Sequence, residues 1–235
     1  LEGRDRATGY GVFLNIKFWG EKNKETLKGK KFIVQGFGNV GYWVSYFLEK
    51  EGAKLVAVQD AFGSIRNTNG IKVADLSNYA KANEGSISGF PGAFDLDNEK
   101  FFTSECDICI PAALGNQITK QNASKIKALL IAEGANGPTS VEGEKILLEK
   151  GITILPDILC NSGGVVGSYF EWLQNRNGEL WQLDEVMIKL DKKMRESFNK
   201  VFDYAYEEGM DLRTAAYCIA IRRIEKAYIQ RGIFP

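Results

Sequence analysis

A chain of 235 residues, 44% of them hydrophobic and 26% charged, has room for one large domain and the balance of an ordinary globular protein. Its 30 Lys and Arg offset 30 Asp and Glu, and this zero net charge argues against nucleic acid or an anionic membrane as partner. There is no His, which excludes Ser-His-Asp and Cys-His nucleophile systems, His-held zinc and His acid–base catalysis, so the chemistry must come from a cofactor or from Lys and carboxylates. No apolar run reaches the length of a membrane span and no signal peptide opens the chain. Residue 1 is Leu, as expected of a cut or processed piece.

Residues 5–24 read as a helix with Tyr10, Phe13, Leu14, Lys17 and Phe18 along one side. A turn at 28–30 leads to a strand at 32–35, a helix at 40–50 and a strand at 54–59. Residues 64–72 are polar and turn-rich, 73–82 read as a helix, and 85–98 as a loop. The alternation resumes with a strand at 107–110, a helix at 119–126 that Thr119 would cap, and a strand at 129–132. A helix at 141–149 and a strand at 152–155 follow. Gly163-Gly164 opens a helix through Trp172. From Leu183, Val186, Leu190, Met194, Phe198 and Phe202 recur at helical spacing, and residues 212–229 form a second long helix ended by Arg231-Gly232.

Repeated βα units predict an α/β fold, a Rossmann-like doubly wound and mostly parallel sheet, with long C-terminal helices. We expect a single domain over 1–235, with a leading helix at 1–24, a nucleotide-binding core at 30–180 and a helical extension at 181–235. Cys106-Asp107-Ile108-Cys109 has C-x-x-C form, but it lies in a strand-like run, where residues three apart face opposite sides. These two cysteines, with Cys160 and Cys218, are expected to be buried and reduced, which suits a cytoplasmic protein.

The densest signal is Gly36-Phe37-Gly38-Asn39-Val40-Gly41, set between the first strand and its helix. Gly36 permits the tight turn, Gly38 leaves the backbone open to a pyrophosphate, and Gly41 lets helix and sheet approach. The N–H groups opening the helix then face the phosphates. Asp60 ends the second strand about 20 residues on, the place of the acid that accepts hydrogen bonds from the adenine ribose. It would repel a 2′-phosphate, so NAD is favoured, with NADP possible.

Ligands of open α/β sheets sit outside the carboxyl ends of the strands, where three further loops fall. Pro111-Ala112-Ala113-Leu114-Gly115-Asn116 is the first, Glu133-Gly134-Ala135-Asn136-Gly137-Pro138 the second, and 156–164 the third. Asn136 and Asn161 either hold the nicotinamide ribose or carboxamide, or cap turns. Ser168, one turn into its helix, either meets a carboxylate or bonds its own backbone.

With these loops on view, the chain resembles the dinucleotide-binding C-terminal domain of glutamate dehydrogenase, in the glutamate/leucine/phenylalanine/valine dehydrogenase family. The likeness runs from Gly3-Arg4 and Ala7-Thr8-Gly9-Tyr10-Gly11, through the glycine loop, Ile110-Pro111-Ala112-Ala113 and 133–138, to Pro156-Asp157-Ile158-Leu159 and Gly163-Gly164-Val165. Ser168-Tyr169-Phe170-Glu171-Trp172 and Leu212-Arg213-Thr214-Ala215-Ala216-Tyr217 complete it. The resemblance implies that Arg4 and Thr8 hold the nicotinamide end, that Asn136 contacts the cofactor, and that Val165 and Ser168 line the substrate pocket, with the Ser168 hydroxyl meeting the side-chain carboxylate of glutamate. Ala112, Ala113 and Asn161 join the cofactor site as small or amide residues of the strand-end loops. It implies reversible oxidative deamination of L-glutamate to 2-oxoglutarate and ammonia, and a hexameric homo-oligomer for the full-length protein. It places the catalytic groups in a preceding domain that nothing in this chain resembles, so none is assigned here and the chain alone is expected to bind NAD without turnover. Gly167 departs from the family pattern and is expected to loosen the helix start that positions Ser168. The other readings are a non-catalytic NAD-sensing or scaffold module and a dehydrogenase of another amino acid.

Overall fold

The computed structural model describes residues 1–232, so residues 233–235 of the expected helical extension lie outside the described part. Helix α1 (Ala7–Asn23) leads into β1 (Lys31–Gln35), α2 (Asn39–Lys50), β2 (Lys54–Gln59), β3 (Ser64–Arg66), α3 (Val73–Ala82) and β4 (Phe94–Leu96). Strand β5 (Ile108–Pro111), β6 (Leu130–Ala132), α4 (Val141–Glu149), β7 (Thr153–Leu155), the one-turn α5 (Asp157–Cys160), α6 (Gly163–Asn177), α7 (Leu183–Glu208) and α8 (Leu212–Arg231) follow. The strands form one sheet in the order β4-β3-β2-β1-β5-β6-β7. Five run parallel, and β3 and β4 add an antiparallel edge. This is a Rossmann-like, doubly wound α/β sheet.

Alternation along β1 explains the two cores. Phe32 and Val34 face the cluster built with α1, α2, α6 and α7, whereas Ile33 faces the one built with Phe101, Phe102, Ile118 and Leu147. The chain runs from β1 outward to β2 and later returns to the other side of β1 as β5. That reversal opens a crevice at the carboxyl ends of β1 and β5.

Several expectations are corrected. The polar stretch 64–72 contains β3, and the loop 85–98 contains β4. Each strand has three residues, too short for a period to register, and each is held by its neighbour's backbone. The segment 119–126 is no α-helix; a single 3-10 turn spans Ala123–Lys125. Asn122 folds back instead, accepting from the Thr119 N–H at 2.8 Å and donating to the Gln117 carbonyl. Helix α1 has no one-sided stripe, because α2, α6 and α7 pack around it and bury Ala7, Val12, Leu14, Ile16 and Trp19 as well as Phe13 and Phe18. On α7 the stripe drifts from the expected four-residue step. Val201 and Ala205 are buried, and Phe202 is half-buried and stacks on Phe198.

All four cysteines are free, but only Cys109 and Cys160 are buried; Cys106 and Cys218 are half-buried. Strand β5 begins only at Ile108, so Cys106 is not held to the face opposite Cys109 and packs against the same cluster. Burial and the neighbouring Asp107 push the Cys106 thiol up to about 12, which keeps it protonated near neutrality. No helix among the described residues is long and apolar enough to cross a membrane.

Candidate functional site

The glycine loop sits at the mouth of the crevice. Gly36 adopts φ +89°, a conformation L side chains rarely take, and a Cβ there would lie 2.8 Å from the Ala112 carbonyl oxygen. A Cβ on Gly41 would overlap the Gly36 carbonyl oxygen, so α2 lies directly on the turn that precedes it. Around Gly38 a Cβ would meet nothing within 4 Å, which leaves the backbone open to an incoming group. Gly38 caps α2 without a side chain, so the first N–H groups of the helix have no capping partner and the positive end of its dipole points into the crevice. A pocket of about 260 Å³ adjoins this loop, lined by Phe37, Gly38, Asn39, Tyr42, Ser77 and Lys81 among others.

Asp60 follows β2 and is tethered. One carboxylate oxygen accepts from the Phe62 and Gly63 N–H groups at 2.8 and 2.9 Å, and the other from the Ile87 N–H at 2.8 Å. It thereby joins the β2–β3 turn to the segment after α3, and it contacts no other candidate residue through these bonds.

The remaining candidates fall into two groups. Asn161 donates to the side-chain oxygen of Asn136 at 2.8 Å, so the loops after β6 and β7 meet through the two amides singled out from sequence. Ala112 lies between them and the glycine loop, 3.0 Å from where a Cβ on Gly134 would stand, while Ala113 is exposed beside it. In the second group, Arg4 donates to Ser168 Oγ at 2.7 Å and Ser168 Oγ donates to the Gly164 carbonyl at 3.2 Å. Ser168 thus bonds its own helix and still faces solvent with Val165. Thr8 lies against Gly164, where a Cβ would collide with its hydroxyl. Asn39 donates to the Asp5 carbonyl and ties this second group to the glycine loop.

Gly167 does not loosen α6, which is continuous over Gly163–Asn177. A Cβ at Gly167 would lie 3.0 Å from Ala7 Cβ and 3.4 Å from Arg4 Cδ, so its role is to let α6 close on the start of α1. Gly163 works likewise against the Ala7 carbonyl.

Sequence reasoning missed one cluster beside the two asparagines. Arg213 on α8 donates to Glu133 at 2.8 and 2.9 Å, to Glu144 at 2.8 and 2.9 Å and to Asp157 at 2.9 Å. The Glu133 side chain is fully buried, and burial raises its carboxyl above the usual range despite the opposing pull of Arg213. Charge spacing held no signal for it, since these residues come together only through the fold. A larger cavity, about 460 Å³, lies along the β7 edge and contains none of the candidates.

The strand order, the crevice and the open helix start define the class of protein, a Rossmann-like domain with a glycine-rich loop after its first strand. The family model of glutamate/leucine/phenylalanine/valine dehydrogenases matches residues 1–232, and the chain belongs to that family. It superposes on a hetero-hexameric glutamate dehydrogenase from Thermus thermophilus, solved in a leucine-bound form, with a TM-score of 0.94 and 31% identity, covering 100% of this chain and 55% of that one. For a glutamate dehydrogenase from Peptoniphilus asaccharolyticus the values are 0.85 and 37%, with 99% and 55% covered. The chain therefore spans about half the length of the proteins it matches.

Proposed function

We propose that this chain forms the cofactor-binding half of a glutamate dehydrogenase that prefers NAD to NADP. The observation that carries the reading is the open backbone at Gly38 in front of an uncapped helix start, at the reversal point of the sheet. The residues fit a dinucleotide. The α2 amides after Gly38 bind its pyrophosphate, and Asp60 accepts from the adenine ribose hydroxyls and repels a 2′-phosphate. Ala112 and Ala113 are small enough for close approach, while Asn136, Asn161, Arg4 and Thr8 orient the nicotinamide end. Val165 and Ser168 line the substrate pocket, where the Ser168 hydroxyl meets the side-chain carboxylate of glutamate. An alkyl side chain offers that hydroxyl no hydrogen-bond partner, whereas a carboxylate does, which favours glutamate over leucine or phenylalanine. When bound, the nicotinamide accepts or gives hydride at the α-carbon of the substrate. The groups that move protons and hold the α-carboxylate belong to the preceding domain, so this chain alone binds NAD without turning over glutamate. The full-length protein is a homo-oligomer, a hexamer by analogy with its relatives.

Paired fluorescence titrations with NADH and NADPH test the reading. Tight NADH and weak NADPH binding is expected. Binding of neither would overturn the cofactor site, equal binding would remove Asp60 as the discriminating residue, and steady-state glutamate oxidation by the purified chain would refute its inactivity.

A further inference from the structure

We infer that Arg213 is a positioning residue that holds Asn136 and Asn161 in place for the nicotinamide end of the cofactor, so that the seating of α8 is transmitted to that end of the site. This rests on the cofactor reading above. Arg213 stands in the first turn of α8, far in sequence from both loops, yet its guanidinium gathers carboxylates from three other elements. Glu133 directly follows β6, Glu144 lies in the first turn of α4, and Asp157 opens α5.

Two of these carboxylates also grip the loops. Glu133 accepts from the Asp157 backbone N–H at 2.8 Å, and Asp157 accepts from the Gly137 N–H at 2.8 Å, next to Asn136. The chain of contacts therefore runs from Arg213 through Asp157 to the peptide adjoining Asn136, whose amide oxygen is held by Asn161. A single guanidinium separates three carboxylates, one of them fully buried. Without it, Glu133 and Asp157 would lose the cation they share at the carboxyl end of the sheet, and the loops at 133–138 and 156–161 would part or trap a proton. The glycine loop shares none of these bonds, so the pyrophosphate and adenosine end is unaffected.

The test compares Arg213→Met with the wild-type chain, using NADH, which reaches both ends of the site, and ADP, which reaches only the adenosine and pyrophosphate end. The variant is expected to bind NADH about tenfold more weakly and to lose the emission change of bound nicotinamide, with ADP binding unchanged. Asn136→Ala is expected to show the same loss, and the double variant no further loss. If the methionine variant does not fold, Arg213→Lys, which keeps one cationic contact but not the fork, is read by the same criteria. Unchanged NADH binding, equal loss of NADH and ADP, or additive losses in the double variant would overturn the inference alone. A wild-type chain that binds neither ligand, or ADP only, would overturn the cofactor reading and the inference with it.

Discussion

Two glycines of one loop, Gly38 and Gly41, do different work, and substitution separates them. Gly41 faces the Gly36 carbonyl, so Gly41→Ala forces α2 away from the sheet. We expect a loss of about 1–3 kcal/mol in urea denaturation, the usual cost of overpacking, and weaker NADH binding. Gly38 faces open space at an ordinary φ of −78°. Gly38→Ala should leave stability within about 1 kcal/mol of wild type, because Ala is only a poorer cap, yet weaken NADH binding by placing a methyl where the phosphate approaches. Wild-type affinity in Gly38→Ala would remove the close-approach role. Both glycines could be singled out from the sequence, since their use follows from local spacing. The tethering of Asp60 to Ile87 could not, because the partner comes from beyond α3.

Elements were legible in proportion to their length and one-sidedness. Helix α7 shows its stripe over many turns, and only its drift to Val201 was missed. Strands β3 and β4 left no periodic trace, and the all-round burial of α1 depends on neighbours that its own sequence does not name. Helix α8 carries a cap whose contribution can be measured. Asp211 accepts from the Thr214 N–H at 2.9 Å and from its hydroxyl at 2.7 Å. Partial burial pushes this carboxyl up, but the bonds from Thr214 and the backbone outweigh it and hold it below its ordinary value. Asp211→Ala is expected to cost about 1 kcal/mol at neutral pH. A lowered folded-state pKa means that the charge stabilises the fold above the unfolded value near 3.9, and that this contribution is lost as pH falls through the folded value. The difference between wild type and variant should therefore shrink in acid; a gap that stays constant down to about pH 2 would show that the charge adds nothing to the cap.

For the whole molecule, the proposed site is a product of convergence. The carboxyl ends of β1, β2, β5, β6 and β7 bring five loops to one rim, and α6 is drawn in by its close packing on α1. A ligand bound across this rim should stabilise the entire fold. At NADH concentrations about 100-fold above Kd the gain is about 2.7 kcal/mol, or roughly 5–10 °C in Tm for a domain of this size. NADPH at the same concentration should give less, in line with the charge of Asp60. Equal shifts from both would point to a site indifferent to the 2′ position.

The sequence by itself determined the βα alternation, the glycine loop after the first strand, the acid after the second, and the long α7 and α8, because each is written in spacings of a few residues. The tertiary structure alone decided that Asn136 meets Asn161, that Arg4 meets Ser168, that Gly167 tightens α6 against α1, and that Arg213 joins Glu133, Glu144 and Asp157. Those contacts link residues far apart along the chain. Their geometry depends on strand order and helix packing, which no local pattern encodes.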